Sequence, residues 1–429
     1  MAMPTAPVPD RAPETQRLYA AHTAAVAYYR AQLPRNDGPC NYLRKRGLGA
    51  VVDRDAPWRV GFAPRGWSTL TDHLNRQGFS TDDLVTAGLA VRGHDGRVRD
   101  LFRDRIVFPI RDQSGQTVAF IGRVWTQQAA DDANIPKYLN SPDTPIYTKG
   151  RELFGVYEQR DRIAAGWPPA LVEGPADTLA VWLSYARTGR TGLVALAPCG
   201  TALTEAQLHT VVELPGVRRY GLAVAFDGDQ AGRKAADRAY GLLAAHPTIL
   251  ARGAVFGPGA DPADLVTSPD GRVRLRTTLE RRAQPLLHLV LDHRIDTLTH
   301  RSPRLLYEVE GRIALARHLA PLIGEQPPQH AVAALRHVAA EVQRLTAGQP
   351  DSAQQVADTV RCLAAAVSEH LETTPAQPLP ARSAPGPPTS PPFAAAFPSP
   401  PRPGIPGVAV PATSITGHPS ANVTRRLSR

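Results

Sequence analysis

Two aspartates separated by one glycine, Asp227-Gly228-Asp229, follow the apolar run 223–226 and precede a helix-like pattern that begins at Ala231. A short apolar run bounded by Gly and Asp reads as a buried strand of a parallel sheet. In extended backbone, residues i and i+2 point to the same side, so the two carboxylates can face one point. Gly228 leaves room for backbone or ligand to approach between them. Like charges held together raise each other's proton affinity unless a cation neutralises them. Hard oxygen donors suit Mg²⁺, which takes one or two carboxylates and completes its shell with water and substrate phosphate. Asp-Gly-Asp ahead of a helix also serves as an N-cap with its loop. The metal reading therefore depends on what else the chain brings to the same place.

The elements that would position these groups form an alternating series. A strand at 170–172 ends in Glu173-Gly174, with Pro175 at a first helical position and Asp177 in the first turn of a helix over 176–187. A strand over 192–198, a helix over 204–214, a strand over 221–227, a helix over 230–244 and a strand over 249–256 follow. Such βαβα alternation implies a parallel sheet, and ligands of these sheets bind at the carboxyl ends of the strands. Glu173, Asp227 and Asp229 all stand at such ends, so three carboxylates are expected to converge. Asp177 is equally a first-turn residue favoured by the helix dipole. After the last strand, residues 259–264 add a second acidic loop containing Asp261 and Asp264.

Upstream, an Ala-rich pattern predicts a helix over 14–33, broken by Pro34 to Pro39, and a short helix over 40–46 ending at Gly47. Strands over 106–110 and 117–124, joined by a turn at 112–115, predict a hairpin flanked by Arg103, Arg105, Arg111 and Arg123. Residues 136–150 read as a polar, basic, Tyr-containing loop. It is either a solvated rim or a channel that grips phosphates.

The formal net charge of +10 favours an anionic partner, although arginine enrichment can also follow genomic base composition. Only four of 49 basic residues are lysines: Lys45, Lys137, Lys149 and Lys234. Against that background each is a candidate for a compact point charge. Three cysteines, Cys40, Cys199 and Cys362, lie far apart with no CxxC pair, which excludes a disulfide framework or Cys-rich zinc site. The N-terminal residues do not read as a signal peptide, and no apolar run has the length of a membrane span. The expectation is a soluble cytoplasmic protein with no membrane partner.

EGPAD (173–177), DGDQAGRKAA (227–236) and GADPADLV (259–266) resemble the TOPRIM domain of bacterial primases, topoisomerases and some nucleases. YLRKRGL (42–48), GFAP (61–64), DLFRDRIVFPI (100–110), GRVW (122–125) and PKYLNSPDTPIYTKG (136–150) resemble the catalytic core of DnaG-type DNA primases. The similarity runs from about residue 14 to 270. It implies α/β architecture: a mixed α+β primase subdomain (14–160) followed by a TOPRIM parallel-sheet domain (168–268). Residues 280–370 read as a helical region for a helicase or other partner. Residues 1–13 and the Pro-rich 373–429 read as disordered.

The resemblance further implies catalytic and metal-binding roles for Glu173, Asp227 and Asp229, with Asp261 and Asp177 as additional acidic positions. It places Arg46, Arg123, Lys137, Tyr138, Asn140 and Lys149 along a template and nucleotide groove. The implied activity is synthesis of short RNA primers on a single-stranded DNA template from NTPs, with Mg²⁺ or Mn²⁺ and no zinc.

Departures from the family pattern accompany the match. There is no recognisable zinc module, which implies a separate zinc-bearing or template-recognition partner. Ala263 stands where the family has an acidic residue. A weak or inactive TOPRIM protein that binds single strands or a helicase is the alternative, as is a TOPRIM nuclease. An ATPase-linked nuclease is disfavoured because GxxxxGK[ST] is absent.

Overall fold

The computed structural model describes residues 12–373 except 187, 201 and 258–260. The expectations for residues 1–11 and 374–429, and for Gly259 and Ala260, lie outside the described residues. The first group of elements is α1 (Ala12–Gln32), α2 (Asp37–Lys45), β1 (Gly61–Ala63), α3 (Thr69–Asn75), α4 (Thr81–Thr86), β2 (Ala90–Arg92), β3 (Val98–Asp100), β4 (Arg105–Arg111), β5 (Thr117–Arg123), α5 (Gln127–Asp131) and β6 (Tyr138–Asn140). The second is β7 (Leu153–Phe154), α6 (Arg160–Ala164), β8 (Pro169–Leu171), α7 (Pro175–Tyr185), β9 (Val194–Pro198), α8 (Glu205–Val212), α9 (Pro215–Tyr220), β10 (Leu222–Val224), α10 (Gln230–Leu243), β11 (Ala251–Gly253), α11 (Pro262–Leu265), α12 (Pro269–Thr277) and β12 (Gln284–Pro285). Four helices complete it: α13 (Leu286–Arg301), α14 (Val309–Gly324), α15 (Pro328–Leu345) and α16 (Ser352–Thr373).

β4 and β5 form the expected antiparallel hairpin, closed by Gly115 N–H donating to the Asp112 carbonyl. Gly115 takes φ +88°, which a side chain would resist. β1 and β6 flank the hairpin in a four-stranded sheet ordered β1-β4-β5-β6. β6 falls within the stretch read as a loop: Tyr138 to Asn140 pair with Arg123 to Ile121 across the β5 edge. The ladder, rather than apolar alternation, makes this strand. α1 packs on the same sheet through Leu18, Ala21, Ala25 and Tyr29 against Phe102 and Phe120. Its first turn includes Ala12 and Pro13, two residues earlier than expected. α1 ends at Gln32, ahead of Pro34 as expected, but α2 starts at Asp37, three residues earlier than expected, so Pro39 sits in its first turn, where a missing N–H costs nothing. Thr373, expected in the tail, is the last residue of α16.

The second sheet has the order β12-β11-β10-β8-β9-β7, with β11, β10, β8 and β9 parallel and both edge strands antiparallel. Its strands are shorter than their apolar runs. β10 ends at Val224, although Ala225 N–H still donates to the Leu171 carbonyl.

One core continues from the first sheet into the second. Trp58 and Phe154 stack at 5.3 Å between ring centroids, and Phe108 meets Phe154 edge-on at 6.2 Å. Arg111 and Glu158 form a buried ion pair at 2.7 Å across the same junction. The helical region joins the sheet through β12, and His293 contacts Asp237 of α10 at 3.0 Å. Among the described residues no helix is long and apolar enough to cross a membrane.

Candidate active site

After β8 the chain crosses to β9 on one side. After β10 it crosses to β11 on the other. The carboxyl ends of β8 and β10 therefore flank a topological switch point, the place where open parallel sheets bind ligands. Glu173 follows β8 and Asp227 follows β10. The Asp227 N–H donates to Glu173 Oε1 at 2.9 Å, which holds the two segments together. Asp177, buried in the first turn of α7, accepts from the Gly174 N–H at 3.2 Å. It thus does what a first-turn carboxylate does and also lines the cleft.

A pocket of about 180 Å³ is lined by Glu173, Asp177, Asp227 and Asp261 from the second sheet's connections and by Arg123, Lys137, Tyr138 and Asn140 from β5, β6 and the residue before β6 in the first. A neighbouring pocket of about 290 Å³ shares Arg123, Lys137, Asp227 and Asp261, and adds Arg46, Asp229 and Asp264. Asp227 and Asp229 border this second pocket together, though not as partners on one strand. Asp229 is exposed and caps α10, its Oδ1 accepting from the Gly232 N–H at 2.8 Å.

Asp261 similarly caps α11 by accepting from the Asp264 N–H at 2.6 Å. Arg46 reaches from beyond the end of α2 to Asp264 at 2.6 Å and Asp261 at 3.6 Å. Asp264 is thereby engaged with a cation, while Ala263 is fully buried.

Burial and the nearby charges of Asp177, Glu173 and Asp261 push the Asp227 carboxyl up to about 8. Burial, Asp261 and Glu173 push Asp177 up to about 7, opposed by Arg123 and a hydrogen bond from the Ala263 backbone. Arg123 donates to the Tyr138 hydroxyl at 2.6 Å and lies over the Tyr138 and Tyr42 rings at 5.2 and 5.8 Å. Burial works against its charge, but Tyr138, Tyr42, Asp177 and Asp261 raise its proton affinity above the ordinary value.

Three cations thus face six carboxylates, and the shortfall is positive charge. Asp227 Oδ1 is buried with no hydrogen-bond partner. An orphaned carboxylate oxygen among further hard oxygen donors fits a divalent cation. Among the described residues no three His, Cys, Asp or Glu side chains form a ready-made metal cage.

Lys149 is not among the residues lining either pocket; its backbone N–H donates to Asp143 Oδ1 at 2.6 Å. Lys45 and Lys234 are exposed and likewise outside the linings. Lys137 is the one lysine among those lining residues.

Two glycines went unread as site residues. A Cβ at Gly232 would lie 2.0 Å from the Asp227 carbonyl oxygen, so the first turn of α10 can sit on that backbone only without a side chain. Gly200, at φ +75°, has Asn140 where a Cβ would be. The five-residue spacing of Asp227 and Gly232 carried the first signal. The second needed the tertiary approach of β6.

Residues 28–160 match the family described as DNA primase catalytic core, N-terminal domain, and residues 170–266 match a family described as Toprim-like. A DNA primase of Pseudomonas aeruginosa is 35% identical over 344 residues, covering 78% of this chain and 48% of that protein. The chain spans about half the length of the curated relatives it matches. The RNA polymerase domain of Mycobacterium tuberculosis primase DnaG is similar at 33% identity and a TM-score of 0.60, over 76% of this chain and 98% of that one. A DnaG primase catalytic domain bound to single-stranded DNA is 30% identical, with a TM-score of 0.57, over 77% of this chain and 99% of that one.

Proposed function

The chain belongs to the family of bacterial DnaG-type DNA primase catalytic cores, and from that premise we propose that it makes short RNA primers on single-stranded DNA by metal-dependent nucleotidyl transfer. The observation that carries this reading is the switch-point cleft, with Glu173 and Asp227 on one wall and Arg123, Lys137 and Tyr138 on the other. Carboxylates alone would suit many metal sites. Carboxylates opposite a basic, aromatic wall suit phosphoryl transfer on a polyanion.

In this reading Glu173, Asp227 and Asp229 hold divalent cations, Mg²⁺ with Mn²⁺ as a substitute, and Asp261 and Asp177 support them. Such an ion, when bound, stabilises charge on the attacking 3′-oxygen and the leaving pyrophosphate. Lys137, with no ion pair among the described residues, neutralises incoming phosphate. Arg123 is held by Tyr138 and Tyr42 and fixes the Tyr138 ring at the cleft edge. Asn140 Oδ1, buried and unpartnered, accepts a hydrogen bond from the bound nucleotide or strand. Lys149 acts on the template path outside the two pockets.

We assign residues 14–160 and 168–268 as the two walls of the catalytic unit and 280–370 as its partner-binding region. Support for the last is an exposed apolar trio, Tyr307, Val309 and Ile313, the latter two one turn apart on α14. A replicative helicase or a zinc-bearing template-recognition protein is the partner class.

The test is primer synthesis on single-stranded DNA with NTPs and Mg²⁺ or Mn²⁺, beside an Asp227→Ala/Asp229→Ala variant. Short RNA products from the wild type alone support the proposal. No product at any metal concentration, with single-strand binding retained, rejects a stand-alone enzyme and favours a binding role.

A further inference from the structure

A second group of cations lies at the other end of the β4/β5 hairpin. Arg30, Arg54, Arg59, Arg111 and Arg160 border a cavity of about 310 Å³ in which Asp55 is the one lining carboxylate. Arg105, at the start of β4, donates to the Lys137 carbonyl in the cleft, whereas Arg111 ends the strand. Six residue steps separate the two ends by about 20 Å.

Arg111 is already neutralised by buried Glu158 at 2.7 Å. Arg160 has Asp161 only at 3.9 Å. Among the described residues Arg30, Arg54 and Arg59 have no carboxylate within ion-pair distance. Arg30 donates to the Arg54 carbonyl, which pins the loop against α1 and keeps the guanidinium among its like. Burial, then Arg59 and Arg54, weaken the hold of Arg30 on its proton. Arg59 also stands at φ +49°, a left-handed backbone conformation unusual for a residue with a side chain. Strained backbone and crowded cations persist where the surroundings impose them, and such places are commonly binding sites. Arg111 and Arg160 lie 4.6 and 4.5 Å from the Tyr157 ring, which orients both guanidiniums.

We propose that this cavity binds adjacent phosphate groups, either the polyphosphate of a nucleotide or the backbone of a strand, at a site separate from the carboxylate cleft. Several planar guanidiniums around one concavity suit phosphate oxygens, which accept two parallel hydrogen bonds from each fork. A single carboxylate ligand would leave most of that charge unmatched. The inference does not rest on nucleotidyl transfer, so its test reads binding without turnover.

The full chain would be titrated by calorimetry with inorganic tripolyphosphate, and by anisotropy with a labelled dT oligonucleotide. Both titrations would compare wild type with Arg54→Gln/Arg59→Asn, Asp55→Asn and Lys137→Ala. Loss of tripolyphosphate affinity by about tenfold or more in the double variant, persisting when Lys137→Ala is added to weaken the carboxylate cleft, supports a site for free polyphosphate separate from that cleft. The same loss confined to the oligonucleotide supports a strand site. Asparagine tolerates left-handed backbone, so the melting temperature of the double variant should hold or rise. Should that variant fail to fold, Asp55→Asn decides: it removes the opposing charge and should tighten binding severalfold. Binding of both probes unchanged in every pocket variant overturns the proposal.

Discussion

Arg123 sets the charge balance of the cleft, because it is the buried cation that faces Asp177 and Asp261 and also fixes Tyr138. Replacing it with Gln removes a charge-assisted hydrogen bond and leaves the carboxylates less opposed. We expect a loss of about 1–3 kcal/mol in denaturant melts, with primer synthesis reduced at least as far as in Lys137→Ala. His22 gives a separate prediction inside the first sheet's core. It is fully buried, stacks on Phe120 at 5.7 Å, and pairs one ring nitrogen with the Leu18 carbonyl, while Nε2 has no partner. Burial drives its pKa down to about 4, below the ordinary value of 6.5. Between those two values the unfolded chain binds more protons than the folded one, so stability rises with pH across the window and falls on acidification. The full effect is about 3 kcal/mol between pH 7 and pH 4. In His22→Phe, urea midpoints should lose this part of their pH dependence. An equally steep acid slope in that variant would place the titration elsewhere. At this scale the sequence brought out Glu173, Asp227 and Arg123 as candidates because each stands at the end of an apolar run, and the fold lines one pocket with all three. It did not separate Lys137 from Lys149, because which lysine faces the cleft is decided by β6 pairing with β5.

At the scale of elements, alternation was legible because each buried strand is a short apolar run bounded by turn residues. The polar strand β6 was not, since its half-buried side chains carry no alternation and the β5 edge alone orders it. Asp227 and Asp229 border one pocket, as the same-side argument expected, but a single strand does not carry them there. β10 stops before them, and the start of α10 recruits Asp229 as its cap. That helix offers an internal comparison. In Gly232→Ala the new methyl meets the Asp227 carbonyl and must displace it, at a cost of about 1–3 kcal/mol. A shift of order 1 Å at Asp227, the carboxylate proposed above to hold a metal ion, should lower the rate of primer synthesis by about 10²-fold. In Gly241→Ala, nine residues further along the same helix, nothing lies within 4 Å of the new methyl, and stability should rise by about 0.4–1 kcal/mol. Melting curves and primer yields of the pair check this. Equal behaviour of the two variants would show that α10 does not set the position of Asp227.

For the whole molecule, the charge of +10 reports only that a polyanion is favoured; the fold decides where it is met. The three carboxylate-facing cations are partly committed inside the protein: Arg46 to Asp264 and Asp261, Arg123 to Tyr138. Lys137 is exposed and carries no ion pair among the described residues, so it should contribute to strand binding mainly through one displaced counterion. For single strands each phosphate contact adds about 0.7 to the slope of log affinity against log salt. Lys137→Ala should therefore lower the magnitude of that slope by about 0.7, with similar loss on any oligonucleotide sequence. Arg46→Ala should change the slope less, because its charge is already spent on two aspartates, and should instead weaken the packing of α11. Anisotropy titrations of dT and mixed-sequence oligonucleotides between 50 and 300 mM salt, roughly the range over which such slopes are read, measure both. A slope unchanged by Lys137→Ala but reduced by Arg46→Ala would mean that the Arg46 ion pairs open on binding, and that the strand enters along α2 rather than across β6.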